Sequence, residues 1–228
     1  MDNFRQVMGP AGGFLAALCL AAVFILPLAG GAFAVGAKPA TAEESGSPTQ
    51  TVERLHETLI GMMRDGPALG FEGRRARLAP VVADSFDLVL MTRLIVGQRW
   101  NEFSDDERKA VVKAFGDWTI ANYAGQFTSF DNERFVTVGE AAAPRDTVLV
   151  KTRLDYGADS SVAFDYRMSN RQGKWQIIDI YLDGTVSELA TRRSEFGAAL
   201  KTGGAAALVA RLDEKIVEMA AGDKAAPL

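Results

Sequence analysis

One histidine, His56, and one cysteine, Cys19, are all that the chain offers toward imidazole or thiol chemistry. A nucleophile–imidazole–carboxylate arrangement would have to run through His56. Two such residues are too few for a zinc-type centre, although carboxylate-only cation sites remain within the composition. His56 stands beside Glu53, Glu57 and Leu59 in a helical segment, which reads as a solvated helix position. Asp165 shares strand parity with Arg167 and is expected on a solvated outer face. Asp179 shares parity with Trp175 and Ile177, so it is expected to face inward near a strand end. A buried, unpaired carboxyl there would titrate high and could act as a general acid or base with Tyr166 or Tyr181. The preferred role for Asp179 is a structural hydrogen bond to the following turn at Thr185 and Ser187. Phosphate loops of the GxxxxGK or GxGxxG type are absent. Gly203-Gly204 could offer N–H groups to an anion, but a turn between helices accounts for it. Arg192-Arg193 reads as a solvated basic pair. No cofactor and no resident metal are expected.

The elements that must position these residues follow from periodicity. Val52, Leu55, Leu59, Met62 and Met63 recur at helical spacing until Asp65-Gly66-Pro67. Pro80 suits a first helical position, after which Val82, Phe86, Val89, Leu90 and Leu94 mark one face up to Gly97. Ser104-Asp105-Asp106-Glu107 is a capping box; Val112, Phe115, Thr119, Tyr123 and Phe127 line the helix it opens, widened by Val111 and Trp118. From Arg134 the period becomes two, starting with Phe135, Thr137 and Gly139. Val148, Val150, Thr152, Leu154 and Tyr156 alternate with Thr147, Leu149, Lys151, Arg153 and Asp155, and after a turn at Gly157 Val162, Phe164, Tyr166 and Met168 alternate with Ser161, Ala163, Asp165 and Arg167. The run Lys174 to Leu182 is apolar on both parities, so it is expected to be central or covered on both sides. Polar turns between alternating runs describe an antiparallel meander. Helices return with Leu189, Phe196 and Leu200, stop at Gly203-Gly204, and resume with Leu208, Leu212, Ile216 and Met219. Helices, then strands, then helices predict an α+β fold with helices packed on one side of a curved antiparallel sheet.

The N-terminus has the form of a secretory signal: Arg5, an uncharged apolar stretch from Phe14 to Phe33, and small residues at Ala32-Phe33-Ala34 or Ala40-Thr41-Ala42. The expected organisation is a signal peptide at 1–42, a linker at 43–50, one α+β domain at 51–222 and a tail at 223–228. Leu18 before Cys19 argues against lipidation there. Cleavage after Ala42 would remove Asp2, Arg5 and Lys38. The product has no cysteine and one more net negative charge than the −4 of the whole chain. An exported chain without thiols needs a packed core in place of disulfides. Its mild acidity argues against nucleic acid as a partner and against simple adhesion to anionic headgroups. The apolar alternation shows only that a face is buried; a solid core is the preferred reading of it over a ligand cavity, and Trp118 and Trp175 fit an ordinary core.

Several stretches in order resemble the MlaC family of periplasmic phospholipid-binding proteins, and within it the hopanoid-associated HpnM branch. They are Phe86-Asp87 with Met91, Gly97-Gln98-Arg99-Trp100, Tyr123-Ala124-Gly125-Gln126-Phe127, Val148 to Thr152 and Phe164 to Met168. The run from Trp175 through Gly184 and Ser187 to Phe196 completes the set. The resemblance covers roughly Thr51 to Ala220 and implies an NTF2-like cavity between a curved sheet and its helices. It implies an exported, non-enzymatic carrier, expected as a monomer, that exchanges a phospholipid or hopanoid with an inner-membrane lipid transporter complex. Residues of suitable type to wall the cavity are Phe86, Leu90, Leu94, Phe115, Tyr123 and Phe127 on the helical side. On the strands they are Val148, Val150, Leu154, Val162, Phe164, Tyr166, Met168, Trp175 and Ile177. The physical logic is burial: two chains of ~15 methylenes at ~0.8 kcal/mol each resist water by on the order of 20 kcal/mol, which a dry pocket largely removes. A ligand-free envelope scaffold and an enzyme using Asp179 with a tyrosine are the competing readings.

Overall fold

The computed structural model of the chain describes residues 46–157, 160–171 and 173–225; the candidate signal segment, with Cys19, lies outside them. Helix α1 (Pro48–Arg64) opens on a capping box, Ser47 accepting from Gln50 N while the Gln50 side chain returns to the Ser47 N–H. It therefore begins inside the stretch expected as linker. Val52, Leu55, Leu59, Met62 and Met63 form its buried stripe, as the spacing predicts.

Helix α2 (Gly66–Ser85) is broken at Gly70, whose φ of 59° and ψ of 178° are not helical. Pro80 does not open a helix: it lies inside α2, which runs on to Ser85 despite the lost donor. The new helix, α3 (Leu88–Val96), starts at Asp87, whose Oδ1 accepts from Leu90 N at 2.9 Å. That restart rotates the buried face. Met91, Thr92, Ile95 and Val96 point inward, while Val89 and Leu94 are exposed. Gly97 ends α3 with a φ of 66° and leads through a short 3-10 segment (Gly97–Glu102). Helix α4 (Asp105–Gln126) has the expected Ser104–Glu107 capping box.

Five strands follow, β1 (Arg134–Ala143), β2 (Thr147–Asp155), β3 (Ser161–Arg171), β4 (Lys174–Leu182) and the short β5 (Val186–Ser187). They form one open antiparallel sheet in the order β1-β2-β3-β4-β5. Val148, Met168 and Ile177 lie in one row across the sheet; Val150, Tyr166 and Ile180 lie in the next. Two irregularities change the parity read from sequence. Val138 drops out of register in β1 and is exposed. In β4, Ile178 is the extra residue, so Ile177 and Ile180 share the inward face while Asp179 pairs with Arg167 on the other. Asp179 therefore does not face inward with Ile177.

Helix α5 (Glu188–Ala225) is interrupted at Gly203 and Gly204, where a stop was expected and neither glycine is helical, and its second part extends into the segment assigned as tail. Phe196, Leu200, Leu208 and Leu212 are buried along it. The architecture is the expected α+β fold: an open sheet with the helices gathered on one side. Ile177, Ile178, Asp179 and Ile180 are all buried, as the doubly apolar β4 pattern predicts. Among the described residues, no helix is long and apolar enough to cross a membrane.

Candidate functional site

The inward sheet face carries Val150, Leu154, Val162, Phe164, Tyr166, Met168 and Ile177, all buried. From the helical side, Phe86 at the α2–α3 junction, Tyr123 on α4 and Phe127 just after it are buried too. A run of ring contacts links the layers. Phe86 meets Tyr123 edge-on at 6.1 Å, and Tyr123 stacks on Phe127 at 5.8 Å. Phe127 lies 6.3 Å from Phe135 of β1, which meets Phe164 at 6.3 Å. Edge-to-face and offset pairs of this kind add to the area they bury. Phe115 is buried with a different set: it stacks on Trp118, which meets Phe196 edge-on between α4 and α5.

Not every expected wall residue is there. Leu94 is exposed and Leu90 only half-buried, because α3 restarts at Asp87. Val148 and Trp175, near strand ends, are half-buried.

His56 corrects the sequence reading most sharply. It is buried, not solvated: its ring lies 3.9 Å from that of Phe135 with planes 8° apart, and its Nε2 shares a 3.0 Å hydrogen bond with the Tyr166 hydroxyl. The spacing carried this signal, since His56 is four residues after Val52, three before Leu59 and seven before Met63, on the same stripe. Burial holds its pKa down to about 3, so the imidazole is neutral. Burial also pushes the Tyr166 phenol well up, helped by Tyr123. Tyr123 is raised the same way, with Glu188 adding to it.

The other polar candidates are structural. Asp179 Oδ2 accepts from Ser187 Oγ at 2.7 Å, and its Oδ1 accepts from Ile180 N at 2.8 Å and Leu189 N at 3.1 Å. It caps the start of α5, the preferred reading with Ser187 as partner. The Tyr166–Asp179 pairing is not formed, since the β4 bulge puts the two on opposite faces. Asp165 is buried, not solvated: its Oδ1 accepts from Thr152 N at 3.2 Å, and the turn at Gly184 lies beside its other oxygen. Arg192 is no solvated cation either. It lies over Trp118 at 4.9 Å and pairs with Glu188 and Glu195. Among the described residues, no group of three His, Cys, Asp or Glu side chains is placed to hold a metal.

A cleft of about 720 Å³ opens between α1 and the edge strand β1. Glu53, His56, Glu57, Ile60, Gly61 and Arg64 line it from α1; Glu133, Arg134, Phe135 and Thr137 line it from around β1. None of these was an expected wall residue. Side-chain bonds tie the two elements: Thr137 Oγ1 donates to Glu53 at 2.9 Å, and Thr49 donates through N and Oγ1 to Glu140 at 3.2 and 2.6 Å. Two of the lining residues, His56 and Phe135, form the stacked pair, whose ring neighbours are Phe127, Phe164 and Tyr166.

With known proteins the chain compares as follows. Residues 53–214 match the family model described as MlaC protein. Among solved structures, a phospholipid-binding protein from Ralstonia solanacearum, determined in complex with a phospholipid at 1.53 Å, shares the fold with a TM-score of 0.64. The two are 23% identical, over 77% of this chain and 99% of that one.

Proposed function

Because this chain belongs to the MlaC family, we propose that it is a non-enzymatic carrier that takes the acyl chains of a phospholipid between its sheet and its helices. The observation that carries this reading is the inward face of β2, β3 and β4. It is a continuous apolar surface from Leu154 and Val162 to Met168 and Ile177, roofed by separate helices. Apart from the backbone bridge between Phe86 and Ile177, where Asp87 N donates to Ile177 O at 3.0 Å, sheet and helices meet there largely through side chains, so the layers can part without breaking the pairing of the strands. The few polar groups among them, His56, Tyr123 and Tyr166, are held neutral by burial and add no charge to a hydrocarbon site. The fold-sharing protein with a bound phospholipid supports the same reading.

On this reading the chain works in the periplasm after loss of its N-terminal segment. It acts there as a monomer that exchanges lipid with an inner-membrane transporter complex. A hopanoid is the other cargo the resemblance admits. Against the enzyme reading, which would pair Asp179 with Tyr166 or Tyr181, stands the commitment of Asp179 to the α5 cap and of Tyr166 to His56.

The test is transfer between vesicles. Labelled phospholipid in donor vesicles should reach acceptor vesicles at a rate proportional to protein concentration. A rate no faster than spontaneous exchange would count against the carrier, and repeating the assay with a labelled hopanoid separates the two cargoes.

A further inference from the structure

We infer that acyl chains enter the sheet–helix core through the seam between α1 and β1, and that the stacked pair His56–Phe135 is the partition they displace. This rests on the carrier reading and names the route into the same core.

Three observations converge on the seam. The α1–β1 cleft is large enough, at about 720 Å³, for a bulky ligand segment to begin docking from solvent. Two of its lining residues, His56 and Phe135, stack on one another, and their ring neighbours are Tyr166, Phe127 and Phe164 of the apolar core. The bonds that close the seam are the Glu53–Thr137 and Thr49–Glu140 pairs at the surface and the His56–Tyr166 bond within. Each uses at least one side chain, with Thr49 also donating its backbone N–H, and none belongs to a strand ladder. The two surface pairs are individually weak because water competes for the same groups, so opening them is a modest excursion. The strands β2 to β4, by contrast, are joined by backbone ladders over most of their length, with breaks at Lys151–Thr152 and at the β4 bulge.

The partition suits a transient opening chemically. A neutral imidazole on a phenyl face presents a mostly apolar surface to a passing methylene chain. Its one polar bond, to Tyr166, re-forms when the ring returns. A charged side chain at the same place would have to be dehydrated at each passage.

The experiment uses the full chain with Cys19→Ser, Glu53→Cys and Thr137→Cys. A short bis-thiosulfonate reagent bridges the seam reversibly. Uptake is followed from phosphatidylethanolamine–phosphatidylglycerol vesicles carrying a pyrene-labelled phosphatidylethanolamine. Bridged protein should load at least tenfold more slowly than the same protein after reduction. Equal uptake before and after reduction overturns the route alone; reduced protein that takes up no lipid overturns the carrier reading with it. A second variant, Phe135→Ala, tests the partition: exchange should speed up several-fold, and an unchanged or slower rate in folded protein would overturn that part.

Discussion

His56 Nε2 and the Tyr166 hydroxyl share a hydrogen bond of 3.0 Å that joins the first helix to the middle of the sheet, with both residues buried. The bond crosses from α1 to β3 and therefore couples helix docking to the protonation state of one imidazole.

That coupling has a pH signature. The unfolded chain takes up a proton on His56 below about 6.5, whereas the folded chain holds the group neutral down to about 3. Stability is therefore complete above about pH 6.5 and falls as the pH drops toward 3. Since His56 is the only histidine, the interval from pH 7 to pH 5 reads this group almost alone. Urea unfolding should show a loss of about 2 kcal/mol across it, and His56→Gln should remove most of that slope while lowering stability at pH 7.

Asp179→Asn separates a cap from a catalyst. The carboxylate only accepts, from Ser187 Oγ and from the N–H groups of Ile180 and Leu189. An amide turns one of those positions into a donor facing a donor. The variant should lose about 1–2 kcal/mol in chemical denaturation yet still transfer lipid between vesicles. Folded Asp179→Asn protein that had lost transfer would give this residue a role the structure does not.

Arg74 is the buried cation on which the helical layer depends. Its Nε donates to Ala124 O at 2.8 Å, its Nη1 to Gly66 O at 3.0 Å, and its Nη2 to Asp223. One guanidinium thus joins α2, the end of α4 and the last turns of α5. Arg74→Met should cost about 3–5 kcal/mol in thermal or urea unfolding, because two carbonyls and a carboxylate lose their partner together. Arg74→Lys should recover little of it, since an ammonium cannot reproduce the planar fork.

Much of this was legible in the sequence. The Ser104–Glu107 box, the α1 stripe and the alternating strands identify themselves by chemistry confined to a few neighbouring residues. Four features were not, each for a physical reason. The β4 bulge at Ile178 shifts pairing by one residue, and a doubly apolar strand gives no polar marker of where that happens. Pro80 is carried inside α2, so the true restart falls at Asp87 and turns Leu94 outward. His56 is flanked by glutamates, whose charge masked its place on the buried stripe; its partners, Phe135 and Tyr166, are remote in the chain. The half of the cleft contributed by β1 could not be read locally, since an edge strand acquires its neighbour only through the fold.

The central claim, that the sheet–helix core holds lipid, is tested most directly by native mass spectrometry of the protein as purified from cells, with lipid extraction alongside. The account predicts a lipid-bound species in near-stoichiometric amount, from which phospholipid, or hopanoid, is recovered on denaturation. A folded, fully lipid-free protein that also stays lipid-free after incubation with phospholipid vesicles would contradict it.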